Sequence, residues 1–574
     1  MEPTTYRMHD ETDVATIAAM RRKEKVGRLH VQAIAGTHVV LLGMNLPEDA
    51  CPGLLGFAIR RHDHTEGEVY WLSAYKTFAS VEPHPARGVP YSTRRHPIQG
   101  FTWSDFSAKP GYDYTYEIVG LRGAPALPTE SEKVEVKIRT ETAKLSGSAH
   151  HVHFNRGAAA SQEYTRRFGD KSPQAVGPAA FDWLSRGAAE AIKAFIERAA
   201  GPGFGLRVSA YELTDEHVLA ALKDAWKRKA DVRILYHALN DAQKTQNEAA
   251  IKTFGLGKIC EPRKAVGLRL SHNKVIVLTR GEKPQAVLTG STNFSEGGIY
   301  GHSNVVHICE DDRIAGEYLW LWNALRRNEA KKVVAPALEG RTPLPPDTTT
   351  PGTRAVWSPR PDRGTLEWYA ARAKGAGEAL FMTFAFGMHD LFQDAYRNGR
   401  ARLRYALMET MSGPTRTAAQ RKANEAKIIA LRKMEANKFA IGAYLGQGAF
   451  DRWLAERLSG LNAHVRYLHT KYMLVDPLGE NPLVVTGSAN FSVASTEDND
   501  ENMLIVRGDT RVADVYLGEF MRLYNHFAFR DWLAQHPDPD TAQVSRLDES
   551  DTWWRRYFGG SFASRQREYF AGAP

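Results

Sequence analysis

Two short motifs of the same polar residue types occur twice in the chain. His272-Asn273-Lys274 is followed by Gly290-Ser291-Thr292-Asn293, and His469-Thr470-Lys471 is followed by Gly487-Ser488-Ala489-Asn490. The two histidines are 197 positions apart, and so are the two asparagines. Because the spacing inside each copy is identical and the repeat is this long, the pattern indicates a duplicated domain rather than a solenoid.

Each copy predicts a β-hairpin that gathers these side chains. The apolar runs KVIVL and KYMLV read as buried strands, turn residues follow, and AVLTGS and PLVVTGS read as the returning strands. Alternation along a strand places the His and the Lys of each motif on one face, and the hairpin returns the Ser and the Asn beside them. Duplication then predicts two such clusters facing each other in one site.

This set of groups suits displacement at the phosphorus of a phosphodiester. Fixed Lys, Ser and Asn donors can stabilise the charge that grows on the nonbridging oxygens, without a metal ion. One imidazole can attack phosphorus while the other protonates the leaving oxygen and later activates water. No Asp/Glu/His set has convincing metal-ligand spacing, including His150-His151-Val152-His153, so we expect neither metal nor cofactor.

At these residues the chain resembles the phospholipase D superfamily, whose pattern is His-x-Lys, four residues, Asp, then Gly-Ser-x-Asn. The resemblance extends in architecture over about residues 146 to 574. It implies one active site shared by two half-sites, a phosphohistidine intermediate, and a structural role for Asp476; the first copy has Thr279 instead of that Asp. The resemblance assigns catalytic roles to eight motif residues: His272, Lys274, Ser291, Asn293, His469, Lys471, Ser488 and Asn490.

Small nucleases of the superfamily carry a downstream Ser-Glu-Asn stretch whose carboxylate holds the catalytic histidine. Glu501 and Asn502 provide this pattern in the second copy, whereas the first copy has Ser303 and Asn304. We therefore expect Glu501 to orient His469, and Asn304 and Asn502 to line the substrate site. Glu212, at the end of a predicted strand, either supplies the missing carboxylate to His272 or is an ordinary helix N-terminal glutamate.

The assignment of the nucleophile has two readings. In the superfamily the histidine of the first motif usually takes the phosphoryl group, which nominates His272. Only His469 has an evident carboxylate, however, and such a partner raises ring basicity and fixes the tautomer. We predict that His272 is the nucleophile and His469 the acid, because an acid that must stay protonated also benefits from a neighbouring carboxylate.

The first 143 residues predict a β-sandwich. Segments of period-two alternation lie at 29–43, 54–63, 68–78, 112–123 and 134–140, separated by Gly, Pro and Asp. The stretch KPGYDYTYEIVGL resembles the penultimate strand of a fibronectin type III domain. That resemblance implies a binding or spacer module without chemistry of its own.

The rest of the chain predicts two α/β halves that form a pseudo-dimer of phospholipase D type. We place the first half at 144–335, a Pro-rich extended linker at 336–355, and the second half at 356–574. The aromatic and arginine-rich C-terminal tail is expected to pack over the second half. Cys51, Cys260 and Cys309 are too few and too scattered for a disulfide framework.

The composition of the chain favours some classes of substrate over others. A net charge of +9 and a pI near 9.2 favour a polyanionic or anionic-surface partner. No secretory signal or long apolar run is visible, so we expect a cytoplasmic monomer if the chain is the whole gene product. Nucleic acid is the preferred substrate, phospholipid hydrolysis or head-group exchange is the alternative, and a non-catalytic phosphate-binding module is the third reading.

Overall fold

The computed structural model describes residues 20–86, 89–145, 147–157, 161–169, 171–346, 349–412, 417–442, 468–535 and 545–572. They form an N-terminal β region followed by two α/β halves. Among these residues no helix is both long and apolar enough to cross a membrane.

The N-terminal region consists of two four-stranded antiparallel sheets, of order β1-β2-β3-β8 and β10-β9-β4-β5, with a short β6-β7 pair. Inward-facing side chains of both sheets, such as Val31 and Tyr114, belong to one hydrophobic core. The fibronectin type III resemblance stays a prediction. The strands are β1 Arg21–Val26, β2 Leu29–Ala35, β3 Val40–Asn45, β4 Leu54–Asp63, β5 Glu68–Trp71, β6 Ser73–Ala74, β7 Tyr91–Ser92, β8 Thr102–Asp105, β9 Asp113–Ala124 and β10 Leu127–Arg139.

The first α/β half is a seven-stranded sheet of order β11-β18-β17-β16-β12-β13-β14 with helices packed against it. Its strands are β11 His150–Phe154, β12 Phe204–Ala210, β13 Asp231–His237, β14 Cys260–Arg263, β15 Leu270–Ser271, β16 Lys274–Arg280, β17 Lys283–Gly290 and β18 Val305–Cys309. Its helices are α1 Ser161–Phe168, α2 Pro173–Val176, α3 Pro178–Ser185, α4 Ala188–Glu197, α5 Glu216–Lys227, α6 Asp241–Phe254, α7 Asp312–Arg326 and α8 Lys331–Arg341.

The second half repeats the same strand order, β25-β24-β23-β20-β21-β22, with β15 of the first half and β19 also paired to β25. Its strands are β19 Gly352–Ser358, β20 Ala379–Phe384, β21 Leu403–Met408, β22 Asn437–Ile441, β23 Tyr472–Val475, β24 Leu483–Gly487 and β25 Asn499–Arg507. Its helices are α9 Gly364–Lys374, α10 Asp390–Asn398, α11 Ala418–Arg432 and α12 Thr510–Gln535, and the tail adds α13 Phe562–Ala571.

Both predicted motif hairpins are confirmed. β16 pairs antiparallel with β17, and β23 pairs antiparallel with β24. The central strands are buried on both faces, which explains their continuous apolar sequence. In each half the returning strand leads into a single π-helical turn, at Gly297–Gly301 and at Ala494–Asp498, again 197 residues apart.

Two sequence expectations differ from the structure. The first residues of the predicted extended linker belong to α8, because its buried Val334, Ala335 and Leu338 favour the helix despite Pro336. The C-terminal tail does not pack over the second half alone: Trp553 and Trp554 enter the core of the N-terminal sheets. α13 lies against β3 so closely that a Cβ on Gly43 would be 2.2 Å from the Phe570 carbonyl oxygen.

Candidate active site

The structure brings the two motif histidines together at the junction of the halves. The ring centroids of His272 and His469 are 6.5 Å apart, and the rings are inclined at 77°. Each backbone is held by the opposite half: the His272 N–H donates to the Asp500 carbonyl at 2.9 Å, and the His469 N–H donates to the Ser303 carbonyl at 3.2 Å. The site therefore forms only when both halves are docked.

His272 is oriented by a carboxylate from the second half. Its Nδ1 lies 2.8 Å from Glu501 Oε2, which also accepts a hydrogen bond from Ser488 Oγ at 2.6 Å. The other carboxylate oxygen accepts from Asn499 Nδ2 at 3.1 Å. Glu501 is fully buried, so these bonds fix its position and Nδ1 must carry the proton.

His469 is oriented by an amide from the first half in the same crossed manner. Its Nδ1 lies 2.9 Å from Asn304 Oδ1, which accepts from Ser291 Oγ at 2.8 Å. Asn304 Nδ2 donates to the Gly298 carbonyl, and this bond fixes which end of the amide faces the ring. Asn304 and Glu501 are 197 residues apart and are therefore equivalent positions of the duplication.

Both rings thus direct Nε2 away from their orienting partners. An Nδ1–H held by an acceptor leaves Nε2 free to attack, to donate a proton or to accept one. Burial is the main cause that lowers the pKa of His272 to about 4, and Glu501 opposes it. Burial also lowers the pKa of His469, with further lowering by Lys471 and His302. These lowered pKa values favour neutral imidazoles near pH 7, and a bound anion would favour protonation.

The two lysines occupy equivalent buried positions at the same junction. Each ammonium donates to the backbone carbonyl of its own motif histidine, Lys274 to His272 and Lys471 to His469. Both lysines are 1% exposed; burial lowers the pKa of Lys274 to about 7, and burial also lowers the pKa of Lys471 well below its ordinary value. A phosphate group between the histidines would restore their charge, since an opposite charge favours the ammonium form.

The asparagines of the Gly-Ser-x-Asn motifs each have an amide oxygen without a protein partner. Within the described residues, the buried Oδ1 atoms of Asn293 and Asn490 accept no hydrogen bond. A buried acceptor of this kind is typical of a group that a ligand or an ordered water completes.

Several predicted roles change. Glu501 orients His272 rather than His469, because the halves cross and each histidine meets the downstream strand of its neighbour. Ser291 and Ser488 are wholly buried and hold Asn304 and Glu501 instead of facing a ligand. Asn304, expected to line the substrate site, orients His469.

Asn502, the other residue expected to line the substrate site, is also placed elsewhere. Its Oδ1 accepts from Thr289 and Tyr318, and its Nδ2 donates to Asn273 at 2.7 Å. Asn502 is wholly buried, so it joins the halves behind the site. Asp476 lies on a turn and accepts three backbone N–H bonds from residues 377–379, which is the contact pattern of a structural residue.

Glu212 does not supply a carboxylate to His272. Its Oε2 accepts from Ser295 Oγ at 2.5 Å, and the position beside His272 is taken by Glu501. The helix that follows begins only after Asp215, whose side chain caps it, so Glu212 is not a residue of its first turn either. Glu212 is partly exposed at the end of β12.

Two aromatic residues that the sequence reasoning missed stand beside the histidines. The Tyr211 ring is 4.8 Å from the His272 ring, and Lys274 Nζ is 5.0 Å from the Tyr211 centroid. The His302 ring is 5.6 Å from the His469 ring. Tyr211 directly follows β12 and His302 directly follows the π-helical turn, and neither belongs to a sequence motif. The 197-residue offset identifies Asn304 as the equivalent of Glu501, but it does not identify Tyr211 or His302.

No group of three His, Cys, Asp or Glu side chains in the described parts of the chain is arranged to hold a metal ion. Metal independence nevertheless stays a prediction.

A known family model matches one segment in each of the two halves. Residues 194–323 and 417–524 match the family model described as "Cardiolipin synthase, PLD-like domain". Both halves contain phospholipase D-like sequence. The match covers β12 to most of α7 in the first half and α11 to most of α12 in the second, so it includes both His-x-Lys motifs.

One curated relative and two solved structures are similar to parts of this chain. A protein named phospholipase D from Rickettsia bellii is 31% identical over 117 residues, which is 20% of this chain and 52% of that protein. The chain thus spans about half the length of this relative.

The phospholipase D family member Nuc from Salmonella typhimurium is 22% identical, with a TM-score of 0.21, over 25% of this chain and 88% of Nuc. The polyphosphate kinase of Porphyromonas gingivalis is 12% identical, with a TM-score of 0.35, over 57% of this chain and 46% of the kinase.

Proposed function

We propose that this protein is a metal-independent phosphodiesterase of the phospholipase D superfamily that acts through a phosphohistidine. The observation that carries the proposal is the pair of imidazoles 6.5 Å apart, each oriented through Nδ1 by the opposite half and flanked by buried Lys274 and Lys471. The two Nε2 atoms are not used by the orienting bonds, and with the two lysines beside them they match the demands of in-line displacement.

The proposed reaction has two displacements at phosphorus. In the first, His272 Nε2 attacks, the P–O bond to the leaving alcohol breaks, and His469 Nε2 gives that oxygen a proton. In the second, His469 accepts a proton from water, the water oxygen attacks phosphorus, and the P–N bond to His272 breaks. Lys274, Lys471 and the amides of Asn293 and Asn490 stabilise the nonbridging oxygens in both steps.

The assignment of His272 as nucleophile now rests on a different contact from the one the sequence suggested. Glu501 fixes the Nδ1–H tautomer of His272 and stabilises the positive charge that develops when Nε2 bonds to phosphorus. His469 has only the neutral Asn304 as partner, so its imidazolium is less stabilised and releases its proton more readily. This difference suits His469 to acid and base duty.

Chelation should leave activity intact. The charge on the phosphate is carried by lysines and amides in the proposed site, so hydrolysis of bis-p-nitrophenyl phosphate should continue unchanged in excess EDTA. The release of p-nitrophenol with and without EDTA, after prior dialysis against the chelator, measures this. Loss of activity that a divalent cation restores would contradict the mechanism.

Nucleic acid is the proposed substrate, because the net charge of +9 favours a polyanion. Cleavage of single- or double-stranded DNA or RNA should then fall steeply between low and physiological salt. The competing candidate is a phospholipid, which the name of the Rickettsia bellii relative favours. Release of head groups from phospholipid vesicles, with no cutting of any nucleic acid, would select that alternative while leaving the chemistry intact.

A further inference from the structure

Glu212 lies at the rim of the candidate site, in a segment that contacts the motif residues on both sides. The preceding residue, Tyr211, packs against His272 and Lys274, and the following residue, Leu213, forms a β-bridge with Phe294. Glu212 Oε2 accepts from Ser295 Oγ, two residues beyond Asn293. This hydrogen bond holds the carboxylate next to the Gly-Ser-x-Asn segment of the first half.

The negative charge of Glu212 acts on both catalytic lysines. Burial lowers the pKa of Lys274 and of Lys471, and attraction by Glu501 and Glu212 opposes this lowering at each of them. Glu501 is committed to His272, so Glu212 is the carboxylate that influences the phosphate site without a bond to either histidine.

The second half has no equivalent carboxylate. In the first half, Ala210 of β12 pairs with Lys274 of β16. In the second half, β20 pairs with β23 in the same way, and extending that pairing by two residues places Phe384 opposite Lys471. Glu212, two residues beyond Ala210, therefore corresponds to Phe386, which is 51% exposed. The duplicated fold therefore does not require an acidic residue at this position.

We propose that Glu212 determines the charge specificity of the site, so that monoanionic phosphodiesters are accepted and dianionic phosphomonoesters are disfavoured. With a phosphate group bound, Lys274 and Lys471 carry positive charge, and the negative charges of Glu501 and Glu212 offset part of it. A phosphodiester adds one negative charge to this set, whereas a phosphomonoester adds about two near neutral pH, so Glu212 repels the phosphomonoester more strongly.

The same repulsion promotes product release. Hydrolysis of the phosphohistidine leaves a phosphomonoester, which loses a second proton near neutral pH and then repels Glu212 more strongly than the substrate did. This inference rests on the proposed function, because it requires a phosphate group between His272 and His469.

Binding of two matched ligands to Glu212→Gln tests the proposal. Phenylphosphonate is a dianion at about pH 8, and methyl(phenyl)phosphinate is a monoanion of similar size; neither contains an ester bond that could be cleaved. The Gln side chain keeps the size of Glu212 and an oxygen for Ser295. Because repulsion scales with ligand charge, we expect about ten-fold tighter binding of the phosphonate and about three-fold tighter binding of the phosphinate. Titration calorimetry on the full chain measures both dissociation constants.

Glu310→Gln is the matched control, since it removes the carboxylate that pairs with Arg198 beyond the C-terminal end of β18 and leaves Glu212 in place, and it should retain the wild-type preference for the monoanion. An equal change for both ligands in Glu212→Gln, or no change, would overturn the role of Glu212 while leaving the proposed function standing. Failure of both ligands to bind folded wild-type protein at about 10 mM would instead contradict the phosphate site itself, and the inference with it.

Discussion

Replacing Glu501 with Gln should lower kcat by about 10³-fold to 10⁴-fold, as loss of the carboxylate in a Ser-His-Asp triad does. The Glu501 carboxylate accepts from His272, Ser488 and Asn499. An amide must direct its NH₂ group at one of these donors, and it removes the negative charge that stabilises the phosphorylated ring. Steady-state hydrolysis of bis-p-nitrophenyl phosphate measures the effect.

The control for this variant is Glu310→Gln. Glu310 follows β18 and forms a partly exposed ion pair with Arg198, so it tests the loss of a carboxylate that orients neither His272 nor His469. Because Glu501 is buried, thermal unfolding of Glu501→Gln must be compared with wild type before its kcat is interpreted. Wild-type turnover by a folded Glu501→Gln protein would show that Glu501 does not serve His272.

Replacing either histidine with Ala should lower turnover by about 10³-fold or more, because both act in one catalytic unit. The double variant should be little worse than either single variant, since the first loss already disables the unit. Single and double variants are compared in the same phosphodiester assay. Independent, multiplying losses would contradict a shared site and would support two separate half-sites.

Much of the architecture was predictable, because it depends on local patterns. Alternation and buried apolar runs predict the two motif hairpins, and the equal offset of His272 and His469 predicts the repeated strand order that the sheets show. α8 was missed because burial of its apolar face outweighs the helix-breaking preference of Pro336, and such burial is a property of the assembled fold.

The crossed pairing could not be predicted from spacing within one motif. Glu501 is on the strand that follows the His469 hairpin, yet its side chain reaches His272, because β15 of the first half pairs with β25 of the second. The side chains that one hairpin gathers are close in sequence, whereas the docking of the two halves depends on surfaces that are far apart in the chain. Ser291 and Ser488 were misassigned for the same reason: their partners belong to the crossed arrangement.

The most direct test of the account is the site of phosphorylation during turnover. A phosphorus-labelled diester is mixed with His469→Ala or with His272→Ala, quenched rapidly without acid, and the trapped phosphopeptide is mapped. The account predicts label on His272 in the His469→Ala protein, since the nucleophile and its Glu501 partner remain, and no label in the His272→Ala protein. Label on His469 in the His272→Ala protein, with none in the other, would reverse the assignment and contradict the role given to Glu501.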